Sequence, residues 1–209
     1  MSSQAPAADT GRAGTAPRAW LVLAAVIAFG LLTDLGSKWW AFEKIASRPV
    51  VIDREEVLRL GPENLGRILP PHNPVTVVPH VLDLSLVLNP GAVFGIGPGK
   101  RVFFVCFTVA AMVAGVALFA KGTRARQTSA HVAIGLLISG GLGNLYDRLA
   151  YGCVRDFLHP LPGVKAPWGE AWPYVSNIAD LWLIVGIAML VVILWRSDKA
   201  AAAAAPGGA

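Results

Sequence analysis

Four aspartates carry the chemical interest of this chain: Asp34, Asp147, Asp156 and Asp180. Asp34 and Lys38 are four residues apart, a spacing that pairs them on one face of a helix. In Gly143-Asn144-Leu145-Tyr146-Asp147-Arg148, the residues Asn144, Asp147 and Arg148 fall at i, i+3 and i+4 and make one polar stripe. Asp156 lies between Val154 and Phe157, and Asn177 and Asp180 share a face at i, i+3. Two carboxylates held close together cannot both ionise cheaply, so one keeps its proton while the other stays charged. The charged one can take a proton from water attacking a peptide carbonyl while the neutral one donates to the carbonyl oxygen. Plainer roles compete at every position. Asp34 and Lys38 could be a structural ion pair, and Asp147 with Arg148 a packing network. Asp156 could be an ordinary loop acid, and Asp180 an acid favoured by a helix N-terminus. Spacing alone leaves the choice among the four aspartates open.

Other chemistries fit less well. Ser37 and Lys38 are adjacent, so on a helix they point apart rather than forming a nucleophile and base. His72, His80, His131 and His159 make no HExxH and no short ligand spacing, which disfavours a metal enzyme. Cys106 lies in an apolar run and Cys153 in a polar segment, which is no disulfide framework or zinc site.

The elements that must position these residues are membrane helices. The chain has 209 residues, 55% of them hydrophobic and 15% charged. Its mean hydropathy is +0.56. A soluble domain of this length needs more polar surface. The net charge of +5 comes largely from tails and loops beside apolar runs, which fits membrane orientation rather than nucleic-acid binding. Uncharged runs occupy residues 19–33, 102–120, 132–146 and 181–195. Crossing a core of about 30 Å takes about 20 helical residues, so only the second run spans alone. The others reach that length by including Asp34, Asp147 and Asp180. The expected helices are therefore about 19–42, 101–120, 131–149 and 177–196, with outer loops of about 43–100 and 150–176. Residues 1–18 read as a disordered tail and 197–209 as a low-complexity tail around a membrane-embedded unit of 19–196. Arg12 and Arg18 precede the first run, yet residues 33–38 offer no small-x-small cleavage site, so that helix is expected to stay uncleaved.

Lys121, Arg124 and Arg126 in the short middle loop, with Arg12, Arg18, Arg196 and Lys199 in the tails, place both termini in the cytoplasm. In an up-down-up-down bundle, Asp34, Asp147 and Asp180 then share the outer face with both long loops. Alternation at residues 75–78 and 81–88 suggests a short sheet on the bilayer surface, and Trp39, Trp40, Trp168 and Trp172 flank the same face.

Several stretches together resemble the lipoprotein signal peptidase (signal peptidase II) family. They are Asp34-Leu35-Gly36-Ser37-Lys38, Asn89-Pro90-Gly91-Ala92-Val93-Phe94-Gly95, Gly143 to Arg148, Gly152-Cys153-Val154-Arg155-Asp156-Phe157, and Asn177-Ile178-Ala179-Asp180. The similarity covers about residues 19–196. It implies four transmembrane helices with a small β-rich cradle on the outer face. It implies that Asp156 and Asp180 are the catalytic pair, that Asn89, Gly91, Asn144, Arg148 and Asn177 line the site, and that Asp34, Lys38 and Asp147 support it. The implied substrate is a prolipoprotein whose cysteine bears diacylglyceryl, cut on the N-terminal side of that cysteine. No cofactor, metal or nucleic acid is implied. The expected setting is the bacterial inner membrane, in contact with lipid, as a monomer with its active site near the outer face. Pro90, Val93 and Ser176 depart from the family's usual residues, and the insert at about 53–71 and the proline-rich segment holding Pro160, Pro162, Pro167 and Pro173 are long. These differences bear on substrate preference and lid geometry, not on the pair.

Two other classes use the same residues. Intramembrane acids also mark transporters and proton channels, but here they cluster at one face and the second run has no ionisable residue. A non-catalytic scaffold would make every aspartate structural. Tyr146-Asp147 resembles part of other intramembrane aspartyl proteases, without their second GxGD-type motif.

Overall fold

The computed structural model of the chain describes residues 11–91 and 101–204. Five α-helices and two small sheets make up this part: α1 (Pro17–Lys44), α2 (Arg54–Leu60), α3 (Arg101–Ala117), α4 (Thr128–Ala150) and α5 (Ile178–Ala204). Three helices among the described residues are long and apolar enough to cross a membrane: Pro17–Lys44, Val102–Gly122 and Ile178–Ser197. Pro17 opens α1 at a position where its missing N–H costs nothing, and 28 residues give the helix a length of about 42 Å. The Val102–Gly122 span ends in a π-helical turn, Leu118–Gly122.

The fourth long helix, α4, lies in the middle and packs on α1, α3 and α5. It buries polar groups along its length, including Ser139, Asn144, Asp147 and Arg148, and so reads less apolar than its neighbours. The outer helices show the reverse pattern. Leu21, Leu32, Phe103, Phe107, Val113, Val191 and Leu194 all point outward and are exposed. Polar residues inside and apolar residues outside is the arrangement hydrocarbon demands.

Small residues let α4 approach its partners. A Cβ at Gly140 would stand 2.5 Å from the carbonyl oxygen of Ala179 and 2.9 Å from Leu183 on α5. One at Gly135 would stand 2.8 Å from Val26 on α1. At the adjacent Gly141 the nearest atoms are Thr108 at 3.4 Å and Met112 at 3.8 Å, which is ordinary contact. Gly140→Ala is therefore expected to lower the thermal midpoint in detergent through a clash worth about 1–3 kcal/mol, and Gly141→Ala to leave it nearly unchanged. Equal midpoints for the two variants would refute this packing.

Strands β1 (Val75–Val78), β2 (Leu82–Asn89) and β3 (Val154–Pro160) form an antiparallel sheet in that order. The register sets Val87 opposite Asp156 and Asn89 opposite Val154, with an irregularity between Leu84 and Val87. Leu84, Leu86 and Leu88 alternate onto one buried face, against Phe42, Cys153 and Phe157. Backbone bonds tie β3 to Ser176, just before α5: Phe157 N–H and Leu158 N–H donate to Ser176 O, and Ser176 N–H donates to Leu158 O. A hairpin of β4 (Lys165–Ala166) and β5 (Gly169–Glu170) closes the second loop. Trp39, Trp40 and Trp168 are exposed on this side.

Two sequence expectations need correction, both at the tails, and the long insert has a structure of its own. The insert of residues 53–71 is structured: Asp53 caps α2 by accepting from Glu56 N–H at 2.8 Å, and a 3-10 helix spans Pro62–Ile68. Val57 and Leu65 anchor both pieces in the core beneath the sheet. The stretch expected as a disordered tail is ordered in its described part. Ala13 N–H donates to Thr123 O and Ala125 N–H to Gly11 O, and Ala13 is fully buried beside Phe119. Residues 1–10 lie outside the described residues. At the other end α5 runs on to Ala204, since alanine is the strongest helix former; residues 205–209 lie outside the described residues.

Candidate active site

Sheet and bundle meet where β3 passes the start of α5. Asn177 precedes α5 and accepts from Asp180 N–H at 3.0 Å, filling the N-cap role. Asp34 reaches across from α1 and accepts from Ala179 N–H at 2.9 Å. The N–H groups of Ala179 and Asp180 are thus paired with side chains, which fixes the direction in which Asp180 leaves α5.

Asp156 and Asp180 are joined through two amides. Asn177 Nδ2 donates to Asp156 Oδ1 at 2.6 Å and also to Asn144 Oδ1 at 3.1 Å. Asn144 Nδ2 donates to Asp180 Oδ1 at 2.8 Å. Asn89, at the end of β2, donates from Nδ2 to Asp156 Oδ2 at 2.9 Å, and its Oδ1 accepts from Gly91 N–H. Asp156, Asn177, Asp180 and Asn144 are all buried.

Around this centre lies a ring of charge. Lys38 Nζ donates to Asp34 Oδ2 at 2.8 Å and to Asn144 Oδ1 at 3.0 Å, and stands 3.4 Å from Asp147 Oδ2. Arg155 donates to Asp147 through its backbone N–H, Nε and Nη2, the last at 2.8 Å. Arg148 donates from Nη1 to Asn144 O and from Nη2 to Gly91 O, with its guanidinium over the Phe104 ring. The residues singled out by sequence, Asp34, Lys38, Asn89, Gly91, Asn144, Asp147, Arg148, Asp156, Asn177 and Asp180, all fall in this one network. Ala92 to Gly95 of the asparagine motif lie outside the described residues. Arg155 was missed by sequence reasoning. Its signal was a charge inside the short apolar stretch from Cys153 to Phe157.

Burial pushes the Asp156 carboxyl up to about 7, with the charge of Asp180 adding to the effect. Hydrogen bonds from Asn89 and Asn177 and the charge of Lys38 oppose it. An acid raised on folding stabilises the protein below its unfolded value and loses that contribution as pH rises through its folded value. The thermal midpoint of Asp156→Asn minus that of wild type should therefore grow from pH ~4 to pH ~7 and then level off. A difference that stays flat across that window would show that Asp156 is not perturbed. Burial pushes the Cys153 thiol up to about 12, which leaves no thiolate for nucleophilic chemistry.

The buried ionisable set balances in a telling way. Among the described residues, four buried carboxylates (Asp34, Asp147, Asp156, Asp180) meet three buried cations (Lys38, Arg148, Arg155) at this centre. One proton on a carboxylate makes the cluster neutral, and the pair joined by amides is where a shared proton can sit.

Comparison with known proteins places the chain among relatives. A family model described as signal peptidase (SPase) II matches residues 26–196. A lipoprotein signal peptidase of Clostridium novyi is 30% identical over 177 residues, 83% of this chain and 97% of that protein. One of Desulfitobacterium hafniense is 36% identical over 126 residues, 60% of this chain and 76% of the relative. Among solved structures, a bacterial membrane enzyme determined by the in meso method at 2.3 Å superposes with a TM-score of 0.63 at 25% identity, covering 90% of this chain and 93% of the other.

Proposed function

The chain belongs to the signal peptidase II family, membrane proteases of lipoprotein processing, and from that premise we propose that Asp156 and Asp180 cut the signal peptide from diacylglyceryl-modified prolipoproteins. The observation that carries this reading is the pair of buried carboxylates held on one amide scaffold, Asn177 on Asp156 and Asn144 on Asp180. One carboxylate is charged and takes a proton from water attacking the peptide carbonyl, while the other, protonated, donates to the carbonyl oxygen. Fixed amides and the surrounding cations hold both groups in place, so little reorganisation is needed as charge develops. The bond cut is the one on the N-terminal side of the lipidated cysteine.

On this reading all four long helices, α1, α3, α4 and α5, cross the bilayer. The polar stripe of α4 faces the bundle and lowers its hydropathy without preventing a crossing. The peptidase unit is residues 19–196, with both termini in the cytoplasm. The sheet and the dyad stand at the outer face, where water reaches the site and the acyl chains of the substrate stay in lipid. The enzyme works as a monomer without a cofactor.

The test is cleavage by the purified chain in detergent of a diacylglyceryl-modified prolipoprotein and of its unlipidated twin, with products identified by mass. Cleavage of the lipidated precursor alone, directly before the cysteine, is expected. Equal cleavage of both, or a cut elsewhere, would contradict the reading.

A further inference from the structure

Lys38 is fully buried, and the mechanism above gives it no role beyond that of one surrounding cation. Besides Asp34 and Asp147, its third neighbour is the oxygen of an amide. An amide side chain has an acceptor end and a donor end of almost the same shape, so something must decide which way it points. At Asn144 two donors converge on one end, Lys38 Nζ at 3.0 Å and Asn177 Nδ2 at 3.1 Å. The other end meets the carboxylate of Asp180 at 2.8 Å. Turning the amide over would set its NH2 against an ammonium and a second NH2, and its oxygen against a carboxylate. The ammonium is the strongest of these influences, because a charged donor bonds roughly twice as strongly as a neutral one.

We propose that Lys38 is a positioning residue for the cleavage reaction: its ammonium fixes the Asn144 amide so that the NH2 faces Asp180, and its charge lets the dyad keep one ionised carboxylate. The proposal rests on the dyad reading above and deepens it. Asp34 serves the same arrangement from the other side, since it grips Lys38 with one oxygen and the Ala179 N–H with the other. Among the described residues, the charged groups that face this centre beside Lys38 are Asp34 on α1, Asp147 and Arg148 on α4, Arg155 and Asp156 on β3, and Asp180 on α5. The nearby Cys153 thiol is neutral and adds nothing. Without Lys38 these groups carry one negative charge too many for a dyad that holds a single proton. The dyad then binds its second proton more readily, and the charged base is lost at a higher pH.

A plain ion pair makes a different prediction, which a paired substitution exposes. Asp34→Asn with Lys38→Met removes both partners and leaves no unpaired charge between them. A structural role predicts that this double variant regains activity along with stability. The positioning role predicts a folded protein whose kcat for the lipidated prolipoprotein is down about 100-fold, with KM little changed. Lys38→Met alone, which removes the cation and keeps Asp34, should move the acid limb up by about one pH unit, whereas the double variant removes one charge of each sign and should leave it nearly in place. Asn144→Asp keeps the contact with Lys38 but offers Asp180 no donor, and kcat should fall comparably, which serves if the double variant fails to fold. Wild-type kcat in either folded variant, or an unmoved acid limb in folded Lys38→Met, overturns the proposal. The wild-type chain runs in the same assay: if it cleaves nothing, the peptidase reading falls and this proposal with it, whereas an active wild type confines failure to the role of Lys38.

Discussion

Asp180→Asn should abolish cleavage of the lipidated precursor, lowering kcat by about a thousandfold or more, while the protein stays folded. The amide matches the carboxylate in size, and its oxygen can still accept from Asn144 Nδ2 where Asp180 Oδ1 now does. What it cannot do is hold a negative charge or exchange a proton. On the dyad reading Asp180 acts on the reacting atoms and not on the bulk of the substrate, so the loss should appear in kcat with KM nearly preserved. Asp156→Asn should cost as much activity but is the less clean substitution. Both oxygens of Asp156 already accept from amide NH2 groups, those of Asn89 and Asn177. An asparagine there must set its own NH2 against one of them, so a modest drop in midpoint should accompany the lost activity. Cleavage that survives in both folded variants would remove the dyad from the mechanism.

Asp147→Ala should destabilise the protein by about 3–5 kcal/mol, the largest effect expected of any single side chain outside the dyad. Asp147 is fully buried and answers two cations, Arg155 with a 2.8 Å bond and Lys38 at 3.4 Å, as well as the Arg155 backbone N–H. Removing it leaves the buried Arg155 without its carboxylate and Lys38 with Asp34 as its one remaining anion. It also frees the residue next to Asp156 on β3, so activity should fall with stability. Asp147→Asn keeps one acceptor and should fall between alanine and wild type. Glu43→Gln gives the contrast: Lys44 in that pair is 59% exposed, and the change should lie within about 0.5 kcal/mol. Thermal unfolding of the three variants in detergent checks the order, and a small loss for Asp147→Ala would contradict the buried network.

Much of this site is legible in the sequence because the membrane makes polar residues conspicuous. In an apolar run an aspartate must have a partner, so Asp34, Asp147 and Asp180 stand out by position alone. Spacing could not choose the pair. Asp156 and Asp180 sit on different elements, and what joins them is Asn177 and Asn144, two neutral residues that meet only after β3 pairs with β2 and Ser176. Arg155 was passed over because half-polar strands usually turn their charges to solvent, whereas here both faces of β3 from Val154 to Phe157 are covered. The insert shows no helical pattern in the sequence because α2 has only seven residues, too few for periodicity to register. Its Asp53 cap and the Val57 and Leu65 contacts belong to tertiary structure. The low-complexity look of residues 11–18 hid a segment whose small Ala13 and Gly14 let it pack tightly against the α3–α4 connection. Composition measures average polarity, and a short segment of small residues can be buried without changing that average.

The central claim is that two carboxylates sharing one proton activate the water, and the pH dependence of kcat/KM for the lipidated prolipoprotein tests it most directly. The free enzyme should give a bell. Activity should fall on the acid side as the charged carboxylate is protonated, and again above about 7, where the shared proton leaves. A rate that climbs steadily into alkaline solution would contradict the account, because it would require a nucleophile or base other than this pair.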